Sequence, residues 1–254
     1  MRPLMILAYG IVAGSMQRFD VSVEFDGYVP ILGGRESKAK VEFLVRVDGQ
    51  EAPEKKLQAL STIEKFRMSL DGAELPFTEK NIQGFFPPTT VVATRSGKVE
   101  TTDAPKTKLP VRLPGLDSQK FPDITYLPLE FPAAEVKLNI PFTFEKAFNG
   151  SQAKYTVTPT KILEERVEMA LKIAQTVDGF EDQTGNALEA EAPGARRVES
   201  TITGDGTATF DRKTRSVTMA KIRAVSVDKV FPTGKEPYER RLVTILTIKQ
   251  QKPE

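Results

Sequence analysis

The stretch Ser151-Gln152-Ala153-Lys154 has S-x-x-K spacing. On a helix this sets a lysine amine one turn from a serine hydroxyl, where it can serve as the base for a nucleophile. The S-D-N and K-T-G elements that accompany such a pair are missing, and Thr233-Gly234-Lys235 only reverses the second. The surroundings, FNGSQAKYTV, read as a turn entering a strand, which would break the helical geometry. Paired acids offer a second chemistry, since Glu164-Glu165, or Glu189 with Glu191, could supply the two carboxyl groups of glycoside hydrolysis. A chain with no Trp and five Tyr is poorly equipped with aromatic sugar platforms, so these acids read as solvated. A third candidate runs from Asp178 to Glu189 and has the twelve-residue length of a calcium loop. It carries Phe180 and Gln183 where such a loop needs an oxygen ligand and a glycine.

The absence of His and Cys narrows the chemistry further. It removes Ser-His-Asp triads, thiol nucleophiles, disulfides and His/Cys zinc sites. No phosphate-cradling glycine motif is present, and 36 basic against 34 acidic residues are mixed along the chain, so neither a nucleotide nor a nucleic acid is expected. We expect no enzyme, no cofactor and no metal site. What remains is an apolar contact at Phe85-Phe86, ahead of Pro87-Pro88. Adjacent residues of an extended chain point to opposite faces, so one ring should be less deeply buried. The pair either packs under a loop or makes an apolar contact with a ligand or partner at the mouth of a groove or an interface.

Strands must position these rings. Strict alternation marks Phe19, Val21, Val23 and Phe25; then Val41, Phe43, Val45 and Val47; then Phe66, Met68 and Leu70; and near the end Leu242, Thr244, Leu246 and Ile248. Turn signals stand at Asp26-Gly27, Gly33-Gly34, Asp48-Gly49, Asp71-Gly72 and Ser96-Gly97. Residues 162–177 fit helix or strand, and the closing Asp178-Gly179 favours strand. A helical turn or two is expected after Pro53 in PEKKLQALSTIEKF. Residues 178–197, acidic and rich in small side chains, read as a long polar loop.

The first residues, MRPLMILAYGIVAGS, combine Arg2, an apolar run from Leu4 to Ala13 and small residues after it, the layout of a signal peptide over 1–15. The competing reading is a buried first element of the fold. Residues 16–108 and 133–254 form two β halves of similar order, which suggests an internal repeat. Between them LPVRLPGLDSQKFPDITYLPLEFP, residues 109–132, carries five prolines, none three apart as a P-x-x-P ligand would need. Its many apolar residues predict an ordered crossover, with proline pairs four apart marking strands at a sheet edge. The expected fold is all-β, an antiparallel open barrel or sandwich of two similar halves.

The order of elements, and especially GDGTATFDRKTRSVTMAKI followed by RRLVTILTIKQ, resembles uncharacterised exported β-rich bacterial proteins. It is distantly similar to the half-barrels of lipoprotein carriers. That resemblance implies a concave sheet that cups an apolar or lipid-like ligand. The expectation is therefore a periplasmic or secreted, non-enzymatic binding protein that takes an apolar ligand or an envelope protein partner. A purely structural envelope component is the alternative, and a carboxylate or Ser-Lys hydrolase the third. A connected apolar cavity of roughly several hundred Å3 would favour a small ligand, and a fully interdigitated interior a structural role.

Overall fold

The computed structural model describes residues 5–29, 35–77, 82, 84–104, 118–148, 150–182, 187–190 and 192–252. Strands follow the alternation. The first half contributes β1 (Met16–Val29), β2 (Arg35–Gln50), β3 (Lys56–Leu70), the two-residue β4 (Ala73–Glu74), β5 (Thr89–Thr94) and β6 (Val99–Asp103). The second contributes β7 (Phe142–Phe148), β8 (Ser151–Ile162), β9 (Arg166–Glu181), the short β10 (Ala187–Leu188), β11 (Arg196–Asp211), β12 (Ser216–Phe231) and β13 (Tyr238–Gln250). All join one antiparallel sheet in the order β6-β5-β3-β2-β1-β13-β12-β11-β9-β8-β7, with β4 on β3 and β10 on β9. The fold is thus two meanders joined through β1 and β13, with the sheet left open between β6 and β7.

One face of every long strand is apolar, and register aligns these faces. Phe19, Val21, Val23 and Phe25 stand opposite Val45, Phe43, Val41 and Ala39 of β2. Farther across, Ile248 meets Ala220, which meets Ala208, which meets Met169. The buried residues of both halves form a single core cluster, so the halves do not have separate interiors.

The sheet curls toward this apolar face because glycines occupy it where neighbouring strands crowd. A Cβ on Gly206 would lie 2.4 Å from the Lys221 carbonyl oxygen, and one on Gly27 2.2 Å from that of Arg241. Glycines here let the strands approach on the concave side and bend.

Several expectations change. Residues 56–66 are strand rather than helix, because Leu57, Ala59, Ser61 and Ile63 alternate inward against β2 and β5. The Asp-Gly pairs at 26–27, 48–49 and 178–179 lie inside strands. Of the expected long loop at 178–197, residues 178–181 close β9 and 196 opens β11. Strand wins for 166–177.

The described part of the crossover, residues 118–132, is ordered, and it is not an edge strand. Residues 118–120 form a single 3-10 turn and 121–124 the short helix α1 (Phe121–Ile124), after which 127–132 run without sheet pairing. Tyr126, Leu127, Pro128 and Leu129 are all buried, where an edge strand would alternate. The segment passes through the interior as a plug on the concave face. The Pro110 and Pro114 part of the expectation lies outside the described residues.

The apolar run expected as a signal peptide is also packed into the core. Met5, Leu7, Tyr9 and Ile11 are buried in alternation with Ile6, Ala8, Gly10 and Val12. The Tyr9 N–H donates to Arg95 O at 2.7 Å, and the Tyr9 hydroxyl donates to Leu129 O and accepts from the Leu129 N–H.

Candidate functional site

The concave face divides into three zones. Under the first half it is filled by aromatic rings. Phe43 meets Phe66, Phe86 and Phe121 at centroid distances of 5.3, 5.8 and 5.0 Å, and Phe66 meets Phe77 and Phe86 at 4.7 and 5.2 Å. Phe86, one of the two expected contact residues, is thus a core ring. Phe85 is half-buried and packs edge-on to Phe77 at 6.4 Å. One ring is deep and one shallow, but the segment is not the extended chain expected: residues 82, 84 and 85 are helical and the Phe86 N–H donates to Ile82 O at 2.7 Å. A cleft lined by Ser61, Ile63, Phe86, Pro87, Thr89 and Phe121 holds only 20 Å3. That is room for about one water and no larger ligand.

The plug is fastened in the second zone by a buried ion pair. Lys146, on the inner face of edge strand β7, is 4% exposed and donates to the carboxylate of Asp123 in α1 and, at 2.8 Å, to Leu127 O. Thr125 Oγ1 donates to Phe121 O within the plug. Beside the pair, burial raises the carboxyl of Glu130 above its ordinary value, with Lys146 opposing and Asp123 adding to the rise. Burial likewise holds the phenols of Tyr9, Tyr126 and Tyr155 far above their ordinary range, so these hydroxyls keep their protons at neutral pH. The groups around the plug are set to hold position.

At the far end of the second half stands a charged clasp. Arg240 of β13 makes two 2.7 Å bonds to the Glu181 carboxylate of β9 and a 2.8 Å bond to Asp228 of β12. Arg196 shares Glu181 at 2.8 Å, and the Arg240 guanidinium lies 4.2 Å from the Tyr28 ring centroid. Strands β9 and β13 are three positions apart in the sheet, roughly 14 Å if it were flat, and side chains standing perpendicular to a flat sheet would not meet. The clasp closes only because the sheet curls. These residues are 59 apart in sequence for Glu181 and Arg240, and no local pattern marks them.

Between plug and clasp lies the third zone, where the inner face is apolar and only half-covered. Ile173, Gly204, Ala224 and Thr244 form one row across β9, β11, β12 and β13, flanked by Ile202, Val177 and Leu246, and all are half-buried. Short side chains, Gly204 and Ala224, stand in the middle of the row, while Ile173 and Leu246 at its sides pack against the core, and we call this strip the trough.

The other sequence candidates do not assemble. Ser151 and Lys154 sit on opposite faces of β8, with the Ser151 hydroxyl donating to Thr176 O at 2.6 Å. Glu164, Glu165 and Glu189 are exposed, and Glu191 lies outside the described residues. Among the described residues no cluster of acidic side chains could hold a metal, and no helix is long and apolar enough to cross a membrane. A second cleft of 240 Å3 is lined by Gly10, Ser15, Met16, Gln17, Arg18, Thr214 and Gln250–Lys252, at the end opposite the clasp.

No protein-family model matches the sequence, and no curated protein matches it. A solved structure of lipovitellin, described for its lipid–protein interactions, superposes with a TM-score of 0.56 at 11% identity. The match covers 96% of this chain and 26% of that one, so this chain spans about a quarter of the lipovitellin chain. At that identity the likeness is one of fold. An outer membrane channel from Pseudomonas putida F1 aligns over 96% of this chain and 98% of its own at 8% identity, but its TM-score of 0.21 does not establish a shared fold.

Proposed function

We propose that the protein is a non-catalytic binding protein of the bacterial envelope that takes an apolar, lipid-like ligand along the trough between plug and clasp. The observation that carries this is the half-buried strip of Ile173, Val177, Ile202, Ala224 and Leu246, interleaved with Ser200, Ser226 and Thr244, on the inner face between plug and clasp. Leaving such a strip to water is unfavourable by about 25 cal/mol per Å2, which an acyl chain would recover by covering it. A fold shared with lipovitellin, a protein described for its lipid–protein interactions, supports the reading. Placement in the envelope rests on the leader-like layout of the first residues alone, although Met5, Leu7, Tyr9 and Ile11 of that run are packed in the core.

Native mass spectrometry of protein purified from cells, together with titration of a fluorescent fatty acid, tests the proposal. A lipid adduct, and probe binding lost in Ile202→Arg, are the expected results. Apo protein that also fails to bind the probe would leave the structural-component reading. The tightly interdigitated rings around Phe43, with only 20 Å3 free beside them, favour that second reading for the first half of the chain.

A further inference from the structure

The two ends of the curled sheet are fastened by different devices. At one end the clasp draws β9 to β13. At the other, residues 5–15 cross the mouth of the curl. The Tyr9 N–H donates to Arg95 O, just after β5, and the next amide, that of Gly10, donates to Arg215 O, just before β12, at 2.8 Å. Strands β5 and β12 are five positions apart in the sheet, roughly 24 Å if it were flat. Consecutive residues of the run are only about 3.8 Å apart. Two neighbouring amides therefore join turns that belong to opposite sides of the sheet.

Other bonds hold the run along its length. Arg215 returns the contact by donating from Nε to Ala8 O at 3.1 Å. The Val136 N–H donates to Met5 O at the start of the run, and at its end the Gly14 N–H donates to Gly49 O and the Gly49 N–H to Ser15 O. The Tyr9 hydroxyl bonds both the N–H and the carbonyl of Leu129, so the run also seats the plug. Leu129 is fully buried, and without Tyr9 both of its backbone groups would lose that bond in the interior, where an unmade bond is expensive.

The rest of the protein is shaped around this run. A Cβ on Gly49 would lie 2.0 Å from Val12 O and 2.5 Å from Ser15 Oγ. Gly49 lies in β2 and has no positive φ that would call for glycine, so the run itself is what excludes a side chain there. Gly10 stands at the crossing, where a Cβ would meet Arg215 Cβ at 2.8 Å. A leader that is removed after export is read through its continuous apolar character and needs no such fit. Here burial alternates, and Ile6 and Val12 face outward at 58% and 47% exposure.

We propose that residues 5–15 are a retained strap, which stays in the working protein, ties the β5–β6 turn to the β11–β12 turn across the mouth of the curl, and keeps the plug seated. Retention leaves the ligand reading untouched, and it confines envelope placement to an export route that does not cleave this run. Intact mass and N-terminal sequencing of protein purified from the cells that make it should find residues 5–15 present. Hydrogen exchange read by mass spectrometry should show peptides covering 5–15 exchanging about a hundredfold or more slowly than the same sequence as a free peptide. Gly49→Ala drives a Cβ into the strap and should abolish most of that protection, with increased binding of the dye ANS as the concave face opens at this end. Gly179→Ala, which meets no neighbouring atom, should change neither. If Gly49→Ala does not fold, Gly10→Ala takes its place, with a smaller loss of protection expected. A chain that starts between Ala13 and Gln17 would overturn the proposal. So would a run that exchanges as fast as the free peptide, or a folded Gly49→Ala protein whose strap remains fully protected.

Discussion

Replacing Lys146 by Met isolates the contribution of the buried ion pair to holding the plug. Lys146 and Asp123 have side chains 2% and 8% exposed, and Lys146 also binds Leu127 O. Met fills nearly the same volume but leaves the Asp123 carboxylate and a buried carbonyl without their donor. Removing one partner of a buried pair costs about 3–5 kcal/mol, because the remaining charge has lost both water and its counterion. For a chain of this size each kcal/mol corresponds to roughly 2–4 °C, so the melting temperature should fall by about 10 °C. Removing both charges in Asp123→Leu/Lys146→Met should restore most of that loss, since an apolar replacement of the whole pair is often neutral. Urea denaturation at neutral pH of the wild type, both single variants and the double variant forms the cycle that measures this. A Lys146→Met protein within about 1 kcal/mol of wild type would refute the buried tether, as would a double variant no more stable than the single ones.

Three other perturbations follow from the packing. Glu130 has a folded-state pKa raised by burial, so its ionised form opposes folding above that pKa, and the opposition fades as pH falls through it. Glu130→Gln should therefore be more stable than wild type at neutral pH and lose that advantage below about pH 4.5, as read by melts across pH 3–8. Gly206→Val would force a side chain to within 2.4 Å of the Lys221 carbonyl oxygen and should cost about 1–3 kcal/mol, whereas Gly72→Ala meets no neighbouring atom and carries only its positive-φ strain. Tyr9→Ala removes a side chain 1% exposed and both of its bonds to Leu129. It should cost about 3–5 kcal/mol by denaturant titration if residues 5–11 are a working part of the core.

The alternation of Phe19 to Phe25, Val41 to Val47 and Leu242 to Ile248 determined by itself that the chain is all-β with one wet and one dry face, because side-chain direction in a strand depends only on parity. Composition likewise removed the chemistries that need His or Cys. The Ser96-Gly97 and Asp71-Gly72 turns were legible for the same local reason, since only glycine takes the positive φ easily. Asp26-Gly27 was misread as a turn because a glycine that relieves crowding inside a curled sheet has the same local signature, and Asp178-Gly179 because a glycine near a strand's end looks no different in sequence. Phe85 and Phe86 could be singled out in the sequence, but which of them enters the core depends on Phe43, Phe66 and Phe121 arriving from three other segments.

Everything at the candidate site that depends on the curl was decided by tertiary structure alone. The plug reaches Lys146 from 23 residues away, the clasp joins Glu181 to Arg240 across 59, and Tyr9 meets Leu129 across 120. No periodicity encodes such meetings, because they depend on how far thirteen strands bend and on which segment then fills the hollow. The sequence set which face would be apolar. How much of that face the chain covers itself, and how much it leaves open, came from the packing.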